Sequence, residues 1–218
     1  MMEVAVSIQN VCRDFGAERV LKNVTRDFES GKIHGIVGNN GSGKTVLMKC
    51  ICGFLIPTEG SIIVDGKQVG VDVDFPPDLG LIIETPGFLP QYSGIKNLEI
   101  LAALNKKIGL GDIAATIRQV GLDPDMRKPV GKYSLGMRQR LGIAQAIMED
   151  PKLLILDEPL NGLDKHGVKE MRLLIKGLRE EGKTILLASH NQGDIDELCD
   201  TVCEMDAGVM TAIRGYEG

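Results

Sequence analysis

The 218-residue sequence predicts an α/β fold with a mostly parallel sheet, an antiparallel β portion toward the N-terminus and an inserted helical segment. Three observations predict it. From Leu153 onward, strand-like and helix-like stretches alternate, as they do in a parallel α/β core. Leu153-Leu-Ile-Leu-Asp157 begins with four apolar residues in a row. Such a run suits a strand buried on both faces, which is the situation in a parallel sheet. Finally, the short apolar run Lys32–Val37 (KIHGIV) follows a Ser30-Gly31 turn and leads through a glycine-rich stretch into an apolar helix.

The elements follow in order. Val4–Asp65 reads as an antiparallel β-ribbon around the glycine-rich stretch, closed by Ser61–Asp65 and the Asp65-Gly66 turn. Lys32–Val37 is a strand, and Val46–Cys52 forms the first turns of a helix. Pro76-Pro77 is a loop before a strand that starts at Leu79. From about Pro86 to Met148 the chain is helix-rich: Ser93–Asn105, Gly111–Val120, and a helix capped by Ser134 that runs to about Glu149, ahead of Asp150-Pro151. Arg127–Lys132 (RKPVGK) is a basic solvated turn, and Thr184–Ser189 is a strand. The expected organisation is one domain, residues 1–218, with a core of 1–85 and 150–218 and a helical subdomain of about 86–149. No internal repeat or low-complexity segment interrupts it.

Composition excludes several classes. A net charge of −5 and a pI near 5.3 argue against nucleic acid as a partner, whose footprint is basic. The N-terminus lacks the features of a signal peptide, and no apolar run approaches the length of a membrane span. Five cysteines without disulfide-like spacing predict reduced thiols and a cytoplasmic location. Cys50-Ile-Cys52 and Cys199-x-x-x-Cys203 lie in apolar runs with no histidine nearby, so core packing is the better reading than metal binding.

The glycine-rich stretch carries chemistry. Gly38-Asn39-Asn40-Gly41-Ser42-Gly43-Lys44-Thr45 fits G-x-x-x-x-G-K-[ST] at every fixed position, with a strand before it and a helix after it. Glycines let successive backbone N–H groups curl around phosphate oxygens, and the helix N-terminus adds its positive dipole end. Lys44 is expected on the β/γ-phosphates and the Thr45 hydroxyl on Mg²⁺. This cradle alone leaves kinases, GTPases and motor ATPases open. Asp157 and Glu158, at the C-terminal end of the Leu153 strand, sit where ligands bind in open α/β sheets. Asp157 suits a direct or second-sphere role on Mg²⁺, and Glu158 suits a general base on the attacking water.

Tyr133-Ser-Leu-Gly-Met-Arg-Gln-Arg140-Leu141, read alone, is a capped amphipathic helix with an arginine-rich solvent face. With the two motifs flanking it, the chain resembles the ATP-binding subunit of ABC transporters from about Val4 to Ile213. The family carries an LSGGQ-like signature here. This sequence departs from it at Leu135 and Met137 but keeps Ser134, Gly136 and Gln139-Arg140. Asn161-Gly-Leu-Asp164 matches the D-loop, and His190 falls where the family's γ-phosphate-sensing histidine sits. Phe15 occupies the place of the aromatic that stacks on adenine, the alternative being packing beneath the first β-ribbon.

At the position where the family usually has a glutamine, before the helical subdomain, stands Glu84. A carboxylate suits Mg²⁺ at least as well as an amide. Its negative charge near the γ-phosphate points to slower turnover or more pH-sensitive Mg²⁺ binding. Glu84 with a Ser-Leu-Gly-Met signature resembles a subset of bacterial exporters that includes the bacitracin-type and lantibiotic-immunity ATPases. The resemblance implies ATP and Mg²⁺ as cofactors and a separate membrane permease on whose cytoplasmic side this chain docks. It also implies a head-to-tail dimer in which Ser134 and Gly136 meet the other subunit's ATP. The chain's end near Gly218 predicts no added C-terminal regulatory domain of the kind some importers carry. The alternative function is that of a soluble ABC-type ATPase in DNA repair or translation. Those proteins typically carry paired nucleotide domains, coiled-coil insertions or basic arms, none of which the sequence contains.

Overall fold

The structure is a computed structural model that describes residues 3–84 and 86–215. The ends of the expected 1–218 span and its boundary residue Thr85 lie outside the described residues.

Two sheets build it. Strands β1 (Val4–Phe15), β2 (Glu18–Glu29), β4 (Glu59–Val64) and β5 (Lys67–Gln68) form an antiparallel sheet in the order β2-β1-β4-β5. The register pairs Phe15 with Glu18 across a tight turn and Val6 with Val64. The second sheet holds β3 (Ile33–Val37), β6 (Leu79–Ile82), β7 (Leu153–Asp157), β8 (Thr184–Ala188), β9 (Thr201–Asp206) and β10 (Val209–Arg214), in the order β10-β9-β3-β8-β7-β6. All its pairings are parallel except that of β10 with β9.

The helices are α1 (Lys44–Ile51), α2 (Gly94–Asn105), α3 (Leu110–Gln119), α4 (Leu135–Ile147), α5 (Lys165–Glu180) and α6 (Gln192–Leu198). Each expected element is present within a residue or two, but the predicted alternation of strand and helix ends after α6, where β9 and β10 follow one another as an antiparallel hairpin. Ser93 and Ser134 cap α2 and α4, their hydroxyls accepting from the backbone N–H of Lys96 and Met137. The Arg127–Lys132 turn is solvated at its charges but anchors through Val130, which is buried in a one-turn 3₁₀ helix.

Why the central strands read as unbroken apolar runs is visible in the packing. Along β7, Leu154 and Leu156 join one core while Leu153 and Ile155 join the other. Along β8, Ile185 and Leu187 face the first core and Leu186 and Ala188 the second. Period-two side chains on a sheet covered on both sides must all be apolar. One core is sealed by α2 to α6, the other by α1 and the antiparallel sheet. Cys50 and Cys52 belong to the latter core, and burial pushes their thiols up to about 11 and about 12.

Helix α4 lies directly on β6. A Cβ added to Gly80 would stand 1.9 Å from the Ala146 carbonyl oxygen, a backbone atom with no freedom to swing aside. Gly80→Ala should therefore cost about 3 kcal/mol in chemical denaturation by overpacking. Gly177→Ala, on α5 with nothing within 4 Å of the added atom, should stabilise by about 0.5–1 kcal/mol. Equal effects of the two would refute this account of the β6–α4 contact.

Candidate active site

Strand β3 ends at Val37 and the chain turns through Gly38 (φ 141°), Gly41 (φ 81°) and Gly43 (φ 106°) into α1. At Gly38 glycine is required twice over. Its φ is positive, and a Cβ there would lie 2.2 Å from the Met205 carbonyl oxygen of β9. The N-cap of α1 is Gly43, which offers no side-chain cap, so the first N–H groups of that helix are left for a ligand.

Lys44 is 8% exposed, and its ammonium donates to the carbonyl oxygens of Gly38 (2.7 Å) and Asn39 (3.1 Å). These are neutral acceptors for a buried cation. Ser42 is 5% exposed and its hydroxyl oxygen has no hydrogen-bond partner among the described residues. Both observations describe a loop built to be completed by an anion.

The Thr45 hydroxyl donates to Asp157 Oδ2 at 2.9 Å, joining the loop to the end of β7. Burial raises the Asp157 carboxyl above the ordinary range. The Thr45 hydrogen bond and Lys44 pull it down, while the negative charges of Glu158 and Glu84 add to the rise. The next residue, Glu158, has left-handed backbone (φ 51°). One of its carboxylate oxygens accepts from the His190 backbone N–H at 3.0 Å, and the other lies 2.8 Å from His190 Nδ1. Because a carboxylate only accepts, this contact assigns the ring proton to Nδ1. The Glu158 carbonyl accepts from Gln139 Nε2 of α4 at 3.1 Å.

These groups border one cavity of about 680 Å³, lined by Asn40, Gly41, Gly43, Lys44, Thr45, Asp157 and Glu158 among others. Glu84 lines it too, ion-paired with Lys49 at 2.7 Å. His190 reaches the site only through Glu158, and Asn39 borders a smaller neighbouring cavity with His190. Ser134 and Gly136 do not line the main cavity. Their helix contributes Leu135, Arg138 and Gln139 instead. Gly136 sits against the Gly162 carbonyl, and Leu135 packs over Gly162, so the unusual leucine seats the signature on the D-loop.

Phe15 is exposed rather than packed beneath the ribbon, with the Arg13 guanidinium 4.8 Å from its ring centroid. It stands outside the lining of the cavity, whereas Val20, across the hairpin, is part of it. Sequence reading missed Val20: a valine in a strand carries no mark of a site. Taken alone, the signature stretch reads as a helix with its arginines in solvent. Arg140 is instead partly buried, donating to the Val120 carbonyl (2.7 Å) and to Glu170 (2.6 Å) and tying α4 to the end of α3 and to α5.

The chain matches the family described as ABC transporter over residues 21–161. It is 43% identical over 203 residues to the uncharacterized ABC transporter ATP-binding protein YybJ of Bacillus subtilis, covering 93% of each chain. It is 39% identical to the bacitracin transport ATP-binding protein BcrA of Enterococcus faecalis, over 95% of this chain and 68% of that one. With the lantibiotic transport ATP-binding protein SrtF of Streptococcus pyogenes it shares 35% identity, over 98% and 92% of the two chains. The ATP-binding cassette MJ0796, solved as a post-hydrolysis dimer bound to ADP and Pi, superimposes with a TM-score of 0.85 over 97% of this chain and 100% of that one. At 22% identity that likeness speaks for the fold. The chain belongs to the ABC transporter family, as an ATP-binding subunit that hydrolyses ATP to power transport.

Proposed function

We propose that this subunit drives an exporter. In this reading it docks on the cytoplasmic face of a separate permease, pairs head to tail with a second ATP-binding subunit, and uses Mg²⁺ with ATP. Residues 1–85 and 150–218 would form the nucleotide-binding core and about 86–149 the helical subdomain. Among the described residues no helix is long and apolar enough to cross a membrane, which supports a partner that supplies the membrane path. Relatives named for bacitracin and lantibiotic transport support a transport role, and Glu84 with the Ser134–Met137 form of the signature supports the export direction. No relative reported above is named for DNA repair or translation, so that alternative is not favoured.

The observation that carries the mechanism is the placement of Lys44, Thr45, Asp157 and Glu158 around one cavity. Lys44, with only carbonyl partners, would move its charge onto the β/γ-phosphates. The N–H groups of Gly41, Gly43 and the start of α1 would receive phosphate oxygens, beside Asn39, Asn40 and the Ser42 hydroxyl, while the Ser42 N–H donates to the Asn39 carbonyl at 3.1 Å. Phe15 would stack on adenine, its ring exposed beside the hairpin.

Thr45 and Asp157 fit a divalent cation. The hydroxyl donates its proton to Asp157 and keeps its lone pairs, and the carboxylate supplies hard oxygen. No cluster of three or more His, Cys, Asp or Glu among the described residues would hold a metal unaided. Such a partial set suits Mg²⁺, which is usually held by one or two carboxylates plus phosphate oxygens and water. When bound, Mg²⁺ would neutralise charge building on the β–γ bridging oxygen.

Glu158 is the proposed general base. It would take the proton of the attacking water as the new oxygen–phosphorus bond forms, and the bond from the γ-phosphorus to the bridging oxygen breaks, leaving ADP with the electron pair. His190 would hold that carboxylate in place through two contacts.

Two outcomes test this. Glu158→Gln should bind ATP as the wild type does while turnover falls about a hundredfold or more; retained hydrolysis would move the base elsewhere. For the dimer, an inactive Lys44→Ala chain mixed with an inactive Ser134→Arg chain should regain ATPase activity. Each heterodimer then holds one site with both lesions and one with neither. Leu135, Arg138 and Gln139 line the cavity of their own chain, which favours a competing arrangement completed in cis. Demonstrated heterodimers without regained activity would speak for that arrangement.

A further inference from the structure

Glu84 follows β6 with left-handed backbone (φ 60°), and its side chain is 64% exposed at the rim of the cavity. The adjoining segment is anchored from the other side. The Pro86 ring packs against Gly142 of α4, 2.8 Å from where a Cβ would stand. Among the described residues the carboxylate itself is held by one contact, from Lys49 Nζ to its Oε1 at 2.7 Å. Lys49 lies four residues beyond Thr45 on α1, one helical turn along the same face.

The charges around this cavity are unbalanced. Glu84, Asp157 and Glu158 line it, and Lys44 and Arg138 are its cations. Arg138 donates to the Tyr133 carbonyl at 3.2 Å, a neutral acceptor that leaves its charge in place, so the carboxylates still outnumber these cations. Glu84 and Glu158 both repel the charge of Asp157. A polyphosphate entering the cavity meets the same repulsion, and an uncompensated carboxylate at position 84 would add to it.

We infer that Lys49 is a positioning residue: its ammonium holds the Glu84 carboxylate at the cavity rim and cancels the charge that would otherwise oppose nucleotide binding. The inference rests on the cavity being the ATP site. It does not depend on Glu84 touching Mg²⁺, and its test is run without the metal.

The experiment is titration of a fluorescent ATP analogue in EDTA at low salt, using wild type, Lys49→Met, Glu84→Gln and the double variant. Lys49→Met should bind about threefold more weakly, the scale of an exposed ion pair. Added salt should shrink that loss. Glu84→Gln should bind no more weakly than wild type. The double variant should match Glu84→Gln, because removing the carboxylate removes the need for the cation. Lys49→Arg should match wild type, and Lys49→Gln should repeat the Lys49→Met result if that chain folds poorly. A double variant as weak as Lys49→Met would overturn the inference, since the lysine would then act on the nucleotide or the helix directly. Wild-type affinity in Lys49→Met would overturn it as well. Failure of the ATP-site reading itself looks different: Lys44→Ala would then leave the titration unchanged.

Discussion

The site depends on one hydrogen bond between residues far apart in the chain. Thr45 donates to Asp157 at 2.9 Å across 112 residues of sequence, fastening the first turn of α1 to the end of β7. Both partners sit where the parallel sheet opens at the C-terminal ends of its strands, the position at which open α/β sheets present their ligands. The bond holds a buried carboxylate near the buried Lys44 ammonium, whose charge draws the carboxyl's pKa down while each group keeps its neutral hydrogen-bond partners. Lys44 is satisfied by carbonyls, and Asp157 by a hydroxyl. The free protein thus carries charges whose full partners arrive with the nucleotide.

That arrangement is steadied from two directions. From the helical side, Gln139 donates to the Glu158 carbonyl, Pro86 packs on Gly142, and α4 rests on Gly80. The signature helix, the segment around Glu84 and the end of β7 are therefore mechanically joined. From the other side, the turn after β8 is pinned below His190. The Ser189 hydroxyl donates to the buried Asp194, whose other oxygen is held by the Arg172 guanidinium. Asn191 caps α6. This network fixes the backbone N–H of His190 that Glu158 accepts.

What could be read from the sequence was what is local. Gly38–Thr45 announces itself because loop, charge and helix start are contiguous, and Leu153–Glu158 because strand and carboxylates adjoin. Strand and helix positions followed from apolar periodicity and from the Ser134 cap. Contacts set by three-dimensional packing were not legible. Val20 enters the cavity only because the Phe15–Glu18 turn folds β2 back beside the loop. Arg140 looked like a surface charge until α3 and α5 surrounded it. Glu84 was legible as a departure from a pattern, but its partner Lys49 was not, since 35 residues separate them. Leu135 was legible only as an irregularity, and its seat on Gly162 required the fold.

Asp157 is kept at a cost to the free protein. Its carboxyl is raised by burial, so the folded state holds its proton more tightly than the unfolded state does. Unfolding then releases a proton, and stability falls as pH rises from the unfolded value through the raised folded one. The most direct measurement is thermal unfolding of wild type and Asp157→Asn across the acid-to-neutral range, with and without ATP and Mg²⁺. The amide can still accept from Thr45 and carries no charge. Nucleotide-free Asp157→Asn should melt at or above wild type at neutral pH, the difference should shrink toward acid, and the extra stabilisation Mg²⁺ gives beyond ATP alone should be lost. A nucleotide-free variant that melts well below wild type at neutral pH, yet keeps the full Mg²⁺-dependent stabilisation, would contradict this reading of Asp157.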